Sequence, residues 1–141
     1  MDRLREKEGL SYGVNASLSV GTRDRHGRIS IAGTFAPQNR ERFEAALRDE
    51  LEKVLADGYS ALEVDFAKSA ILRVRRQAIT DERTVATLLA DNLFWGRTMA
   101  WREQRDNDYA ALTSEQVNAA LKKYLDPGKM SAAIAGDFAG Q

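Results

Sequence analysis

The sequence predicts an α+β fold, an antiparallel sheet packed on one face by several helices, and three observations carry that expectation. Two runs of apolar–polar alternation stand side by side near the N-terminus, joined by a short polar loop. Beyond Pro37 the apolar residues change to helical spacing in four successive stretches, the last ending at Leu125. A last apolar run, Met130 to Ala135, reads as a strand again. Two strands joined by a short loop are antiparallel, and helices segregated after them define the α+β class.

Each element has its own signal. The charged opening, Met1 to Gly9, reads as the last turns of a helix stopped by glycine. Tyr12, Val14, Ala16, Leu18 and Val20 then alternate with Gly13, Asn15, Ser17 and Ser19, the period of a half-buried strand. After a turn-like Gly21 to Gly27, alternation resumes from Arg28 to Ala36, with Ile29, Ile31 and Phe35 on one face. Gly33 interrupts that face, which marks a bulge or a close approach. Pro37-Gln38-Asn39 ends the strand and offers a helix cap.

Phe43, Leu47, Leu51, Val54 and Leu55 follow at helical spacing, with Gly58 at the expected stop. Ser60 and Glu63 fit a capping box for a second helix, whose stripe is Ala67, Ala70, Ile71, Val74 and Ala78. A third helix follows Thr80-Asp81 and includes Gly96, placed there to let another backbone come close. Arg97 to Ala111 reads as the helix end plus a connection. Thr113 and Gln116 open a fourth helix, which Asp126-Pro127-Gly128 stops. Two or three strands make a thin sheet for four helices. That deficit, and a helix end with almost no helix before it, predict a fragment of a longer protein with strands upstream.

The 141 residues predict one domain, 1–141. A chain of this size buries roughly 68% of its unfolded surface, enough for a core without staples. Lys+Arg and Asp+Glu both number 21, so the net charge is zero and no broad electrostatic footprint for nucleic acid exists. The absence of Cys removes disulfides, thiol catalysis and thiolate metal sites. His26 is the single histidine, so neither a two-His zinc site nor H-x-x-E-H can be built from this chain alone. No apolar run approaches the roughly 18 residues of a membrane span.

The remaining candidates have ordinary readings. His26 lies in the hairpin loop and reads as a solvated turn residue. Lys68, Arg73, Arg75 and Arg76 read as a solvated helix face, without the aromatic interleaving of a nucleic-acid stripe. Glu103, Asp106 and Asp108 lack the glycine and terminal glutamate of a calcium loop. Phe94, Trp95, Trp101 and Tyr109 concentrate aromatic area that suits either a core or an interface. In the stretch Leu4 to Val14, the residues alone make Arg5 a solvated helix residue and Tyr12 an aromatic on the strand's apolar face.

That same stretch, Leu4-Arg5-Glu6-Lys7-Glu8-Gly9-Leu10-Ser11-Tyr12, resembles the L-R-x-K-E-x-L-x-Y pattern of the pitrilysin/insulinase-like zinc metallopeptidases. The similarity continues through the Ser60-Ala61-Leu62-Glu63 helix entry, the Thr113–Leu125 helix and the closing Ala133-Ile134-Ala135-Gly136-Asp137. In that family two similar α+β halves close like a clamshell around a peptide. One half carries H-x-x-E-H and zinc; the other has lost the ligands and supplies an Arg and a Tyr to the substrate side. The resemblance is to the later part of the second, non-catalytic half, and Arg5 and Tyr12 match its pair.

The resemblance implies a chain inactive alone, with no cofactor of its own and zinc in the complementary half. It implies two partners, an H-x-x-E-H-bearing half in the same or another polypeptide and a peptide substrate. Tyr12 would donate a hydrogen bond to substrate, and Arg5 would pair with a substrate carbonyl or carboxylate. Relatives also serve as non-proteolytic assembly subunits, which is the alternative function. Missing upstream strands would leave an open sheet edge, predicting self-association of the fragment, and the loss of the preceding helical turns predicts an Arg5 that is mobile or displaced. No nucleic acid and no membrane span are expected, and periplasmic and cytoplasmic locations in a bacterium are both compatible.

Overall fold

A computed structural model describes residues 9–21 and 26–137. In chain order the elements are β1 (Gly13–Val20), β2 (Gly27–Thr34), a 3-10 turn (Pro37–Asn39) and α1 (Arg40–Asp57). Then come α2 (Ala61–Ala78), α3 (Glu82–Phe94), α4 (Met99–Ala111), α5 (Ser114–Tyr124) and a second 3-10 turn (Pro127–Lys129). The antiparallel hairpin followed by segregated helices is the α+β order that the hydrophobic pattern predicts. The described parts of Met1–Gly58 and Lys122–Gln141 form one compact unit, and Tyr59–Leu121 forms a second.

The first unit is built on the hairpin. Its register runs unbroken from Gly13 opposite Thr34 to Val20 opposite Gly27, so Val14 faces Gly33 and Leu18 faces Ile29. Gly33 is therefore no bulge. A Cβ there would lie 2.3 Å from Cζ of Phe43, so the missing side chain is what admits the α1 ring onto the sheet. Phe35 stacks on the same ring at 4.6 Å. Leu10, Phe43 and Ala46 form the buried cluster, with Val14, Phe35 and Leu47 packed against it. The expected half-buried strand is covered only at this end. Leu18 and Val20 are 69% and 67% exposed, whereas Val14 packs against the cluster that Phe43 centres.

Two other expectations in this unit are corrected. Asn39 occupies the N-cap position of α1 without a capping side-chain bond. Its backbone (φ −94°, ψ 0°) continues the preceding turn rather than taking the extended form a cap requires. Met130 to Ala135 is not a strand, and its residues are exposed. A strand exists only as part of a ladder, and among the described residues the sheet contains β1 and β2 alone.

The second unit is helical and its ends are closed by side chains. Ser60 accepts from the Glu63 N–H while the Glu63 carboxylate accepts from the Ser60 N–H, the reciprocal box its spacing predicts. Asp81 caps α3 through the Thr84 N–H, and Thr113 and Gln116 exchange bonds at 3.0 and 3.3 Å before α5. Gly96 is not inside a helix. At φ +62° it ends α3, with its N–H on Leu93 O and the Arg97 N–H on Asn92 O, the bond pair of a Schellman motif. No atom lies within 4 Å of where its Cβ would stand, so left-handed backbone, not close approach, selects glycine here.

Arg97 to Ala111 contains a full helix, α4, where a connection is expected. Charged and aromatic residues hide its period, yet they are the helix's own scaffolding. Arg97 lies over the rings of Trp95 and Trp101, and Arg105 over those of Trp101 and Tyr109. Residues four apart stack in turn along one face. Against α2, Arg75 pairs with Asp106 and lies 5.5 Å from the Tyr109 ring centre, while Arg102 donates to Arg75 O at 2.6 Å.

Candidate functional site

The residues that carry the resemblance begin at the entry to β1. Gly9 takes φ +59°, and Leu10, only 2% exposed, plugs the core beside Phe43. Ser11 is buried and fully engaged. Its Oγ accepts from the Gly13 N–H at 3.1 Å, and its hydroxyl hydrogen is shared between Gly13 O (2.8 Å) and Thr34 O (2.9 Å). The side-chain turn between residues 11 and 13 is the local geometry that serine favours just before a strand. The Tyr12 N–H donates to Thr34 O at 2.8 Å, extending the ladder by one bond.

With its neighbour on one side buried and on the other paired, Tyr12 sits at a bend and is turned outward, 78% exposed. An aromatic on the apolar face is thus the wrong expectation for it. Strict alternation would place it with Leu10 and Val14, but the bend breaks the parity between them. Its hydroxyl has no partner among the described residues, so it is free to donate to a ligand. Arg5 lies outside the described residues. Ser11 and Tyr12 are thus both bonded to the Thr34 carbonyl, with Leu10 buried in the adjoining cluster. Ser11 escaped the sequence reading; a serine two residues before a strand-opening glycine was the available signal.

The other candidates fall elsewhere. His26 is exposed, and its carbonyl accepts from the Gly21 N–H to close the hairpin loop. Asp106 is held by Arg75, whereas Asp108 accepts from Gln104, so the acidic cluster is divided between separate tasks. Lys68 bonds Asp65 and the carbonyl of Leu112, and is not simply a solvated charge. Between α2 and α4 runs a groove of about 380 Å³, lined by Ala70, Ile71, Val74, Arg75 and Tyr109. Among the described residues no three His, Cys, Asp or Glu side chains gather to hold a metal. No described helix is long and apolar enough to cross a membrane.

Against known proteins, the family model for the peptidase M16 inactive domain matches residues 1–71, half of the chain. Comparison with curated protein sequences finds no match. Among solved structures, the chain is similar to the peptidase M16 inactive domain from Pseudomonas fluorescens. The identity is 25% and the TM-score 0.71, over 89% of this chain and 29% of that one. It shares its fold with the periplasmic protease PqqL from Escherichia coli, at 24% identity and a TM-score of 0.70. That match covers 87% of this chain and 14% of the other. The chain thus spans less than a third of either of these structures. Carrying the Arg5–Tyr12 stretch within the matched segment and the α+β order around it, this chain belongs to the peptidase M16 inactive domain family.

Proposed function

We propose that this chain is the substrate-positioning, non-catalytic half of a zinc-dependent metallopeptidase and works against a second half that carries H-x-x-E-H. The presentation of Tyr12 supports it most directly. The phenol is 78% exposed on a backbone pinned by Leu10, Ser11 and Thr34, so its hydroxyl can be reached by a ligand at a fixed place. Its neighbours fix the backbone, leaving side-chain torsions as the main freedom to be lost on binding.

When the halves close, zinc on the complementary half supplies Lewis-acid polarisation and activated water. This chain's residues hold the peptide. The Tyr12 hydroxyl donates to a backbone carbonyl or to the oxyanion that develops on it, and Arg5 presents its guanidinium to a neighbouring carbonyl or carboxylate. Closure around the peptide excludes water and strengthens both contacts. The peptidase assembled from both halves, carrying Tyr12→Phe or Arg5→Ala, tests these roles. If Tyr12 meets the oxyanion, its substitution lowers kcat/KM by about a hundredfold. Hydrolysis unchanged by both substitutions contradicts them.

The open strands of the hairpin also support self-association of this chain. Among the described residues each strand pairs on one side only, and Leu18 and Val20 are bare. Light scattering at high concentration should show a dimer or larger species. A clean monomer contradicts this.

A further inference from the structure

Helix α2 has two unlike faces. On one, Val64 is buried, Lys68 pairs with Asp65 and donates to the Leu112 carbonyl, and Arg75 pairs with Asp106, so both cations have a carboxylate partner. Half a turn round the axis run Leu62, Phe66, Ser69, Arg73 and Arg76, spaced four, three, four and three residues apart. That is the spacing of a heptad seam. Leu62 and Phe66 are 81% and 77% exposed. Arg73 and Arg76 are exposed and make no ion pair or hydrogen bond among the described residues. Phe66, Ser69, Ala70, Arg73 and Arg76 line a shallow groove of about 270 Å³, whose floor of small residues permits close approach of another helix.

An ordinary solvated face does not place its largest apolar side chains at seam positions. Nor does the helix dipole alone account for Arg73, which lies before the last turn that holds Arg75 and Arg76. The stripe is apolar in its N-terminal half and cationic in its C-terminal half, with both charges uncompensated. We infer that it docks an acidic amphipathic helix of a partner protein, whose apolar residues cover Leu62 and Phe66 and whose carboxylates meet Arg73 and Arg76. Charge complementarity selects this occupant, since a basic or neutral helix would leave two guanidinium groups beside a desolvated seam. The inference is independent of the role given to Tyr12.

The probe is a fluorescein-labelled helical peptide with leucine at heptad spacing and glutamate at the positions facing Arg73 and Arg76, alongside its lysine counterpart. Fluorescence anisotropy with the full chain should show the glutamate peptide binding at least about tenfold tighter than the lysine peptide, with the preference shrinking as salt rises. The double reversal Arg73→Glu/Arg76→Glu should invert the preference, and Phe66→Ala should weaken both peptides. Inversion keeps the test informative even where absolute affinities are low, and unchanged circular dichroism confirms that the surface variants fold. Equal binding of the two peptides, or a preference untouched by the double reversal, overturns the proposal. So does a dimer, formed without peptide, that Phe66→Ala dissociates, because a second copy would then be the occupant.

Discussion

The two compact units hold themselves together by different means. Around the hairpin, the described contacts are those of a small apolar core: Leu10, Phe43 and Ala46 buried, with a ring seated on a glycine. In the helical unit Val64 is the buried apolar side chain among the described residues, and the work of positioning falls to polar and cation–π contacts. Arg75 joins Asp106, Asn118 exchanges two hydrogen bonds with the Tyr59 backbone at 2.8 and 2.9 Å, and arginines alternate with aromatics along α4. Non-directional burial tolerates an open hairpin, whereas directional contacts fix helices that have little interior to share. Perturbing one kind of contact should therefore leave a different mark from perturbing the other.

The largest expected effect is in the apolar unit. Phe43→Ala removes the ring at its centre and should cost about 3–5 kcal/mol in denaturant unfolding; a loss under about 1 kcal/mol would mean that this cluster is not the core. Gly33→Ala drives a Cβ into the same ring and should cost about 1–3 kcal/mol by strain. The pair should be strongly non-additive, since removing the ring removes the three atoms nearest the added methyl. In the helical unit a double-mutant cycle on Arg75 and Asp106, each about a quarter exposed, should return a coupling of about 1 kcal/mol. A coupling near zero would remove the pair from the list of what holds α2 to α4.

Acid should separate the units further. The Ser60 N–H and then its hydroxyl hold the Glu63 carboxyl below the usual range, and the Thr84 hydroxyl and then its N–H do so for Asp81. Thr113 lowers Glu115 likewise, so three of the four lowered carboxyls belong to the helical unit; the fourth, Asp126, is lowered by Lys129. A carboxyl lowered on folding stabilises fully above its unfolded pKa, and loses that contribution as pH falls through the folded value. Hydrogen exchange on acidification should thus release amides in α2 and α3 before those in α1. Release of α1 first would contradict the comparison.

Alternation and capping spacings carried most of the fold. The hairpin, α1, both capping boxes and the Gly58 stop follow from local rules that tertiary context does not override. What stayed hidden is of two kinds. Helix α4 disguises its period because Trp101, Arg105 and Tyr109 are structural yet not uniformly apolar, so hydrophobic spacing passes them by. The Met130–Ala135 run has the composition of a strand, but strand identity depends on a partner elsewhere in space. Tyr12 is a candidate through the pattern around it. Its exposure was not legible, since the bend comes from a serine hydroxyl reaching Gly13 and Thr34.

The substrate-gripping role proposed for this chain rests most heavily on the hydroxyl of Tyr12. Tyr12→Phe deletes one oxygen from a solvent-facing ring, so unfolding stability should stay within about 0.5 kcal/mol of the parent. If the hydroxyl meets the oxyanion, peptide hydrolysis by the two-half enzyme proposed above should nonetheless fall by about a hundredfold in kcat/KM. Equal hydrolysis by variant and parent, at equal stability, would contradict the account.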